Sequence, residues 1–315
     1  MNTEIIMLVL SLLYGIPSFV LYVVILIQLI RPKHHKRFSN PFFRLCFLIG
    51  IVDCIGYLNF YFFVRLPTYA FLSFVYTSPL FNSSPLTTAM YFLIYFCSNL
   101  QLFGNCFLTF NRFTSIVFPL RHHQIWRYCF PASIVLTTLS SLVPFWYLTD
   151  TAVWYIPLYN DDPSLGLGMN PDKAKYPQFS NSFNTFVSYF VACGLSLPLN
   201  IISALFLLCR TSPSGTMFRK HKAEVNLFLV ALLNFIIQTI TGVHQVLIYM
   251  YKENRAFVLA LYTLTPWLSD FKYLSPPWVL LVVSTAVRES VTQMFPKRMP
   301  SLPSYSTASP LFTRG

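Results

Sequence analysis

Long apolar runs, broken by short polar or proline-bearing stretches, divide the chain into seven segments at 5–30, 42–64, 87–118, 128–148, 183–209, 223–250 and 256–286. At 1.5 Å per residue each run is long enough, as an α-helix, to cross the ~30 Å hydrocarbon core of a bilayer. The pattern predicts an all-α integral membrane protein, a seven-transmembrane helix bundle that fills residues 1–299. Beyond the last run, Val287, Val291, Met294 and Phe295 recur at helical spacing beside Arg288, Glu289 and Lys297. That periodicity predicts a short amphipathic helix over 287–295, lying on the inner leaflet. Residues 300–315 are rich in Ser, Pro and Thr and read as a disordered cytosolic tail.

Composition strengthens the membrane reading. Charged residues are 10% of the chain, hydrophobic residues 55% and the mean hydropathy is +0.56. Soluble chains carry about 25% charged residues. The net charge of +12 would suit a nucleic-acid binder. Here, however, the basic residues are scattered between apolar runs, so no nucleic-acid partner is expected. Their distribution instead sets the orientation. The loop at 31–41, the end of the third run with its loop, the stretch 210–222 and the C-terminal tail together hold fifteen Lys and Arg. The alternate loops hold five: Arg65, Lys173, Lys175, Lys252 and Arg255. The positive-inside rule then predicts an extracellular N-terminus and a cytosolic C-terminus, which an odd number of crossings requires.

Other loop features fit that sidedness. Asn82-Ser83-Ser84 is a glycosylation sequon on the outer side, weakened by Pro85. The loop at 150–180 is the longest and carries Trp154, Tyr155, Tyr159 and Tyr176, so it reads as an ordered extracellular cap or as a flexible connector. A cleavable signal peptide is not expected, because Met1–Thr3 lack a basic side chain and the run after Glu4 is too long. The seven cysteines fall in or beside apolar runs and read as small packing residues.

Four ionisable side chains lie within runs: Asp53, His244, Asp270 and Lys272. Asp53 stands ~16 Å from the inner end of its helix, and Asp270 and Lys272 ~21–24 Å from the outer end of theirs, so the depths are comparable. Burial in hydrocarbon demands a partner or water, which makes the four a candidate ligand or ion site. A buried ion pair that merely fixes helix packing is the other reading, with Asp53 meeting Asp270 or Lys272. Asp270 and Lys272 themselves, two residues apart, point away from each other on a helix. His244 reads as a satisfied interface histidine. The adjacent pairs His34-His35 and His122-His123 diverge too far to make a metal site, and no cofactor is expected. No Gly-rich phosphate loop, HExxH or GxSxG motif occurs, so nothing suggests an enzyme.

The third run ends in Asn111-Arg112-Phe113-Thr114-Ser115-Ile116, then Phe118-Pro119-Leu120 and Ile125-Trp126. With Leu13-Tyr14-Gly15-Ile16-Pro17-Ser18 and Arg65-Leu66-Pro67, these stretches resemble nematode serpentine receptor class gamma chemoreceptors, within the rhodopsin-like G-protein-coupled receptor superfamily. The sibling class V shares much of the pattern. The resemblance implies a seven-helix sensory receptor of the plasma membrane and sensory cilium. Such a receptor binds a small-molecule cue from outside and signals to a heterotrimeric G protein. It implies that Arg112, Asn111 and Pro119 belong to the coupling switch, and Glu224, at the inner start of the sixth run, is the expected resting partner of Arg112. Several features depart from most rhodopsin-like receptors. Asn111 replaces the usual acidic residue, the outer loops lack a cysteine for the usual disulfide, the sixth run has no proline, and Ser275-Pro276-Pro277-Trp278 lacks the seventh-helix Asn and Tyr. Lys272 stands closer to those prolines than the retinal-bearing lysine of opsins does. A transporter or a non-signalling scaffold are the alternatives, but the halves show no repeat and no charged pore ring is visible.

Overall fold

The computed structural model describes residues 2–32, 35–82, 84–158, 166–209, 216–251 and 253–294. Seven long helices follow the apolar runs: α1 Asn2–Ile30, α2 Pro41–Phe60, α3 Pro85–Val117, α4 His122–Leu142, α5 Asn181–Cys209, α6 Thr216–Met250 and α7 Arg255–Val283. A short helix, α8 Thr285–Thr292, follows directly. Five of the seven are long and apolar enough to cross a membrane: Glu4–Ile30, Pro41–Thr68, Pro85–Val117, Asn181–Cys209 and Glu224–Met250. The other two are α4, with Arg127 and several Ser and Thr, and α7, with Asp270 and Lys272.

The polar breaks between runs are helix caps. Asn40 accepts from Phe42 N at 3.0 Å with Pro41 in the first turn, and Ser84 accepts from Thr87 N at 3.2 Å ahead of Pro85. Asn254 and Ser284 cap α7 and α8 in the same way. Each side-chain oxygen takes up an amide that the first helical turn leaves unbonded, and proline has none to lose there. Ser284 also splits the expected run 256–286 into α7 and α8. The fourth helix starts and stops earlier than the expected 128–148. Pro144 disfavours helix in the residue before it and supplies no amide, and Trp146–Asp150 is a separate 3₁₀ turn.

At the centre, α3 packs against α2, α4, α5 and α6, while α1 lies against α2, α7 and α8. Gln101, Asn105, Thr109 and Arg112 recur every three or four residues along α3 and are all buried. They form one polar stripe facing the bundle interior. The main apolar core lies towards one end of the bundle, where Ile25, Phe42, Leu108, Trp126, Val230, Leu280 and Val287 meet. Large apolar side chains cover the outside, with Phe190 71% and Leu208 81% exposed, as a lipid-facing surface requires. Helix α8 buries Val287 and Val291 in that core, and Met294 just after it accepts from Gln28 of α1. Its Glu289 pairs with Arg37 at 2.5 Å. Phe295 and the tail 300–315 lie outside the described residues.

The fold is not purely α. The long loop between α4 and α5 contains a β-hairpin, β1 Val153–Pro157 antiparallel to β2 Leu167–Pro171, with Tyr155 opposite Met169. Gly166 enters β2 at φ 102°, and a Cβ there would stand 2.5 Å from the Thr68 carbonyl oxygen. Only glycine allows both that backbone conformation and that approach. Where a disulfide is missing, hydroxyls and rings hold the hairpin down. Tyr155 donates to the Phe63 carbonyl at 2.9 Å, Thr88 donates to the Thr151 carbonyl at 3.2 Å, and Tyr155 packs against Tyr76. At the exposed edge Asp150 pairs with Lys175, which lowers the carboxyl pKa and raises the amine pKa.

Candidate functional site

The buried charges form three groups along the bundle. The outermost is set up by a distortion of the second helix. After Phe60 the chain widens into a π-helical turn, Tyr61–Arg65, then a 3₁₀ turn, Leu66–Thr68. Pro67 lacks the amide that the Phe62 or Phe63 carbonyl would take in a continued helix. Tyr76 supplies a hydroxyl to Phe62 O at 2.5 Å, and Tyr155 serves Phe63 O. The extra residue of the wide turn rotates the later positions about the helix axis. Arg65 is only 2% exposed, and its guanidinium pairs with Asp270 of α7. Tyr14 of α1 donates to the same carboxylate, and the Trp267 ring lies 4.9 Å from the guanidinium carbon. Arg65 was expected to be a loop charge. It is instead a buried partner, and the signal that marks it is Pro67, two residues on.

The second group is at mid-bundle. Asp53 is fully buried and accepts from Tyr22 of α1 at 2.5 Å. Gly50 makes room for this, since a Cβ there would stand 2.9 Å from the Tyr22 ring. Lys272 bonds Ser98 Oγ at 2.6 Å and the Tyr189 hydroxyl at 3.2 Å, with Tyr273 as a ring neighbour at 5.2 Å. Asp53 therefore meets neither Asp270 nor Lys272 directly, and the expected pairing gives way to Arg65–Asp270. The Lys272 charge still acts on Asp53 at longer range. Asp270 and Lys272 diverge, one toward α1 and α2 and the other toward α3 and α5. His244 of α6 bonds the Leu261 carbonyl of α7 at 3.0 Å, an interface role.

The third group closes the C-terminal end of α3. Arg112 is 2% exposed, donates to Asn111 Oδ1 and lies over the Phe42 ring at 4.2 Å. Its contact is a neutral amide where an aspartate would give an ion pair. Glu224 reaches it as a charge at longer range. Two residues on, Thr114 accepts from Trp126 Nε1 at 2.8 Å and contacts His122 Nδ1 at 3.1 Å, locking α3 to α4. Pro119 stands in the turn between them, and Leu120 beside it is 96% exposed. On the opposite side, Asn82 accepts from Tyr155 N at 3.4 Å, while Ser84 of its sequon caps α3. No cluster of His, Cys, Asp or Glu among the described residues has metal-binding geometry, and their cysteines are all free.

A bundle of long apolar helices, crossed by buried charges and capped by a packed hairpin loop, marks a multi-pass membrane protein. The Srg family chemoreceptor model matches residues 8–291. The chain belongs to that family, and is a receptor rather than an enzyme. Among curated proteins it is similar to serpentine receptor class gamma-31 of Caenorhabditis elegans, 28% identical over 311 residues that cover 92% of this chain and 93% of the relative. Serpentine receptor class V-1 of the same nematode is 23% identical over 285 residues, covering 88% and 85%. Serpentine receptor class gamma-10 is 22% identical over 230 residues, covering 69% and 66%.

Proposed function

We propose that this chain is a chemosensory G-protein-coupled receptor of the plasma membrane, placed in a sensory cilium, with seven crossings, its N-terminus outside and its C-terminus in the cytosol. It binds a small-molecule cue from the extracellular side, beneath the hairpin, and passes the signal to a heterotrimeric G protein at the inner end of α3. The observation that carries this reading is the state of Arg112. A guanidinium held by a neutral amide and a ring face keeps donors for a new acceptor, and its Nε has no hydrogen-bond partner. A small outward shift of α6 would open it to the carbonyl end of an inserted helix, whose negative dipole end it would bind. Leu120, exposed in the turn after α3, offers such a partner an apolar anchor. Arg112→Ala is expected to reach the surface at the native level but to lose most ligand-independent and ligand-driven G-protein activation. Nucleotide exchange on purified G proteins, at matched receptor level, tests this. Normal exchange by Arg112→Ala would leave the arginine as a membrane-edge anchor only.

A further inference from the structure

Among the described residues three cations are buried in the bundle: Arg65, Arg112 and Lys272. Two carboxylates share that interior, and both are engaged away from Lys272. Asp270 is taken by Arg65 and Tyr14, and Asp53 accepts from Tyr22 on the α1 side. Three ion pairs are found among the described residues, and Lys272 is in none of them. Lys272 is 5% exposed, and the partners of its ammonium are all neutral: Ser98 Oγ at 2.6 Å, the Ser98 carbonyl at 3.5 Å and the Tyr189 hydroxyl at 3.2 Å. The three donors of the ammonium are thus satisfied by neutral groups, and the Asp53 carboxylate acts on it only at longer range. Holding an ammonium away from water with no anion in contact is unfavourable, and a bound anion would supply that contact.

We propose that Lys272, Ser98 and Tyr189 form the anchor of a site for a small organic carboxylate with an apolar body. This names the chemical class of the cue, and it rests on the chemoreceptor reading only for the cue's extracellular origin. The same three side chains suit an anion. Ser98 and Tyr189 now accept from Lys272, but each hydroxyl also carries a proton. With a carboxylate between them, the ammonium and both hydroxyls donate to it, three charge-assisted hydrogen bonds from three helices, α3, α5 and α7. The body of the ligand would extend outward along α3, among aromatic side chains. One and two turns outward from Ser98 on α3 stand Tyr95 and Tyr91, their hydroxyls 3.2 Å apart, with Asn181 of α5 donating to Tyr91 at 2.8 Å. Phe145 stacks on Tyr95 at 5.1 Å, directly under the hairpin cluster. The walls of such a path are aromatic with few polar groups, which favours an amphiphilic acid over a sugar or a phosphate. Drawing α3, α5 and α7 together on one anion also gives the ligand a way to favour one bundle arrangement over another.

Full-length receptor in nanodiscs gives the test, using straight-chain acids from butyrate to laurate, each beside its primary amide. At least one acid is expected to raise the melting temperature while its amide does not. Lys272→Met is expected to weaken that acid's apparent affinity by about thirtyfold or more. Lys272→Arg, which keeps the charge, should keep part of the effect. Ser98→Asp supplies the anion from within. It should raise the melting temperature of the otherwise native chain, abolish the response to acids, and lower the melting temperature in the Lys272→Met background. Stabilisation shared equally by acids and amides, retained in Lys272→Met, or absent for every acid would overturn the proposal, as would an equal loss from Ser98→Asp in both backgrounds. Should Lys272→Met fail to fold, the acid–amide comparison on the native chain and the Ser98→Asp melt still decide. Acid-specific stabilisation without G-protein activation would keep the anion site and sink the signalling reading. G-protein activation by neutral compounds alone would do the reverse.

Discussion

Arg65 and Lys272 are both buried cations within reach of α7, yet their chemical situations are opposite. Arg65 faces a carboxylate and a tyrosine; Lys272 faces a serine and a tyrosine. The difference gives a sharp mutational contrast. Removing one partner of a buried ion pair strands the other charge, at a cost of about 3–5 kcal/mol. Arg65→Met and Asp270→Asn are each expected to lower surface expression severely, and the double mutant should be less damaged than the two losses combined. The equivalent cycle for Asp53→Asn and Lys272→Met should come out close to additive, because no direct contact joins them. Surface level and thermal melts of detergent-solubilised receptor read both cycles. Strong coupling in the second cycle, with none in the first, would mean that the charges are paired as the sequence first suggested and not as the fold arranges them. Depth along a helix made Asp53 and Lys272 look like partners. Direction around the helix decided otherwise, since Tyr22 reaches Asp53 from α1 and Lys272 turns toward α3.

At the scale of elements, Asn40, Ser84 and Asn254 are short polar caps that stand just before apolar runs, whereas Ser284 lies inside one and breaks it. The first three helix starts were therefore legible in the sequence. The hairpin was not. Its strands are five residues each, and they hold through the Phe63 carbonyl after α2, the Tyr76 ring and the Thr88 hydroxyl of α3, a tertiary cause invisible to local periodicity. Nor was the inward turn of Arg65, since a charge at a span end reads the same whether it snorkels outward or is carried inward by a wide turn. The hairpin's anchorage predicts its weak points. Gly166→Ala puts a Cβ against the Thr68 carbonyl at a left-handed φ, and Tyr155→Phe leaves the Phe63 carbonyl unsatisfied, a loss of about 1–3 kcal/mol. Both are expected to speed amide exchange in 153–171 while sparing α3. The Asp150–Lys175 pair makes a contribution with a defined pH range. The Asp150 pKa is lowered, so its share is present above the unfolded carboxyl value and fades as pH falls through the lowered one; the Lys175 pKa is raised, so its share fades only in strong alkali. Hairpin protection should therefore be flat around neutral pH and decline on acidification below the usual carboxylate range. A hairpin that loosens between neutrality and mild alkali would contradict that assignment. The sequon belongs to this outer face too: a glycan on Asn82, read as a glycosidase-sensitive mass shift lost in Asn82→Gln, is expected if the sequon is used despite Pro85.

For the whole molecule, the distribution of basic residues and the inner arginine make linked claims. An outside N-terminus and an inside C-terminus place Arg112, Leu120 and Glu224 on the cytosolic side. Epitope tags at the two ends, stained before and after permeabilisation, should show the N-terminal tag on intact cells and the C-terminal tag only after permeabilisation; the reverse would remove the G protein from reach. Given that orientation, resting activity depends on how firmly Arg112 is held. The bundle holds it with Asn111 and the Phe42 ring, and Glu224 adds attraction at longer range. A ligand, or a mutation, shifts a two-state equilibrium only by the free energy that separates its effects on the two states. An attraction acting beyond direct contact near a polar interface contributes about 0.3–1 kcal/mol, so Glu224→Gln should raise basal G-protein activation about two- to fivefold. Asn111→Asp works the other way. It places a full negative charge beside a buried guanidinium that now has a neutral partner, tightens the resting state, and should lower basal activation while leaving the maximal response reachable at higher ligand concentration. The pair of mutants separates a lock from a scaffold. If Arg112 only anchors the helix end, both changes would alter surface level and leave activity per receptor unchanged. If it is the held element of the switch, activity per receptor moves in opposite directions in the two mutants at equal surface level.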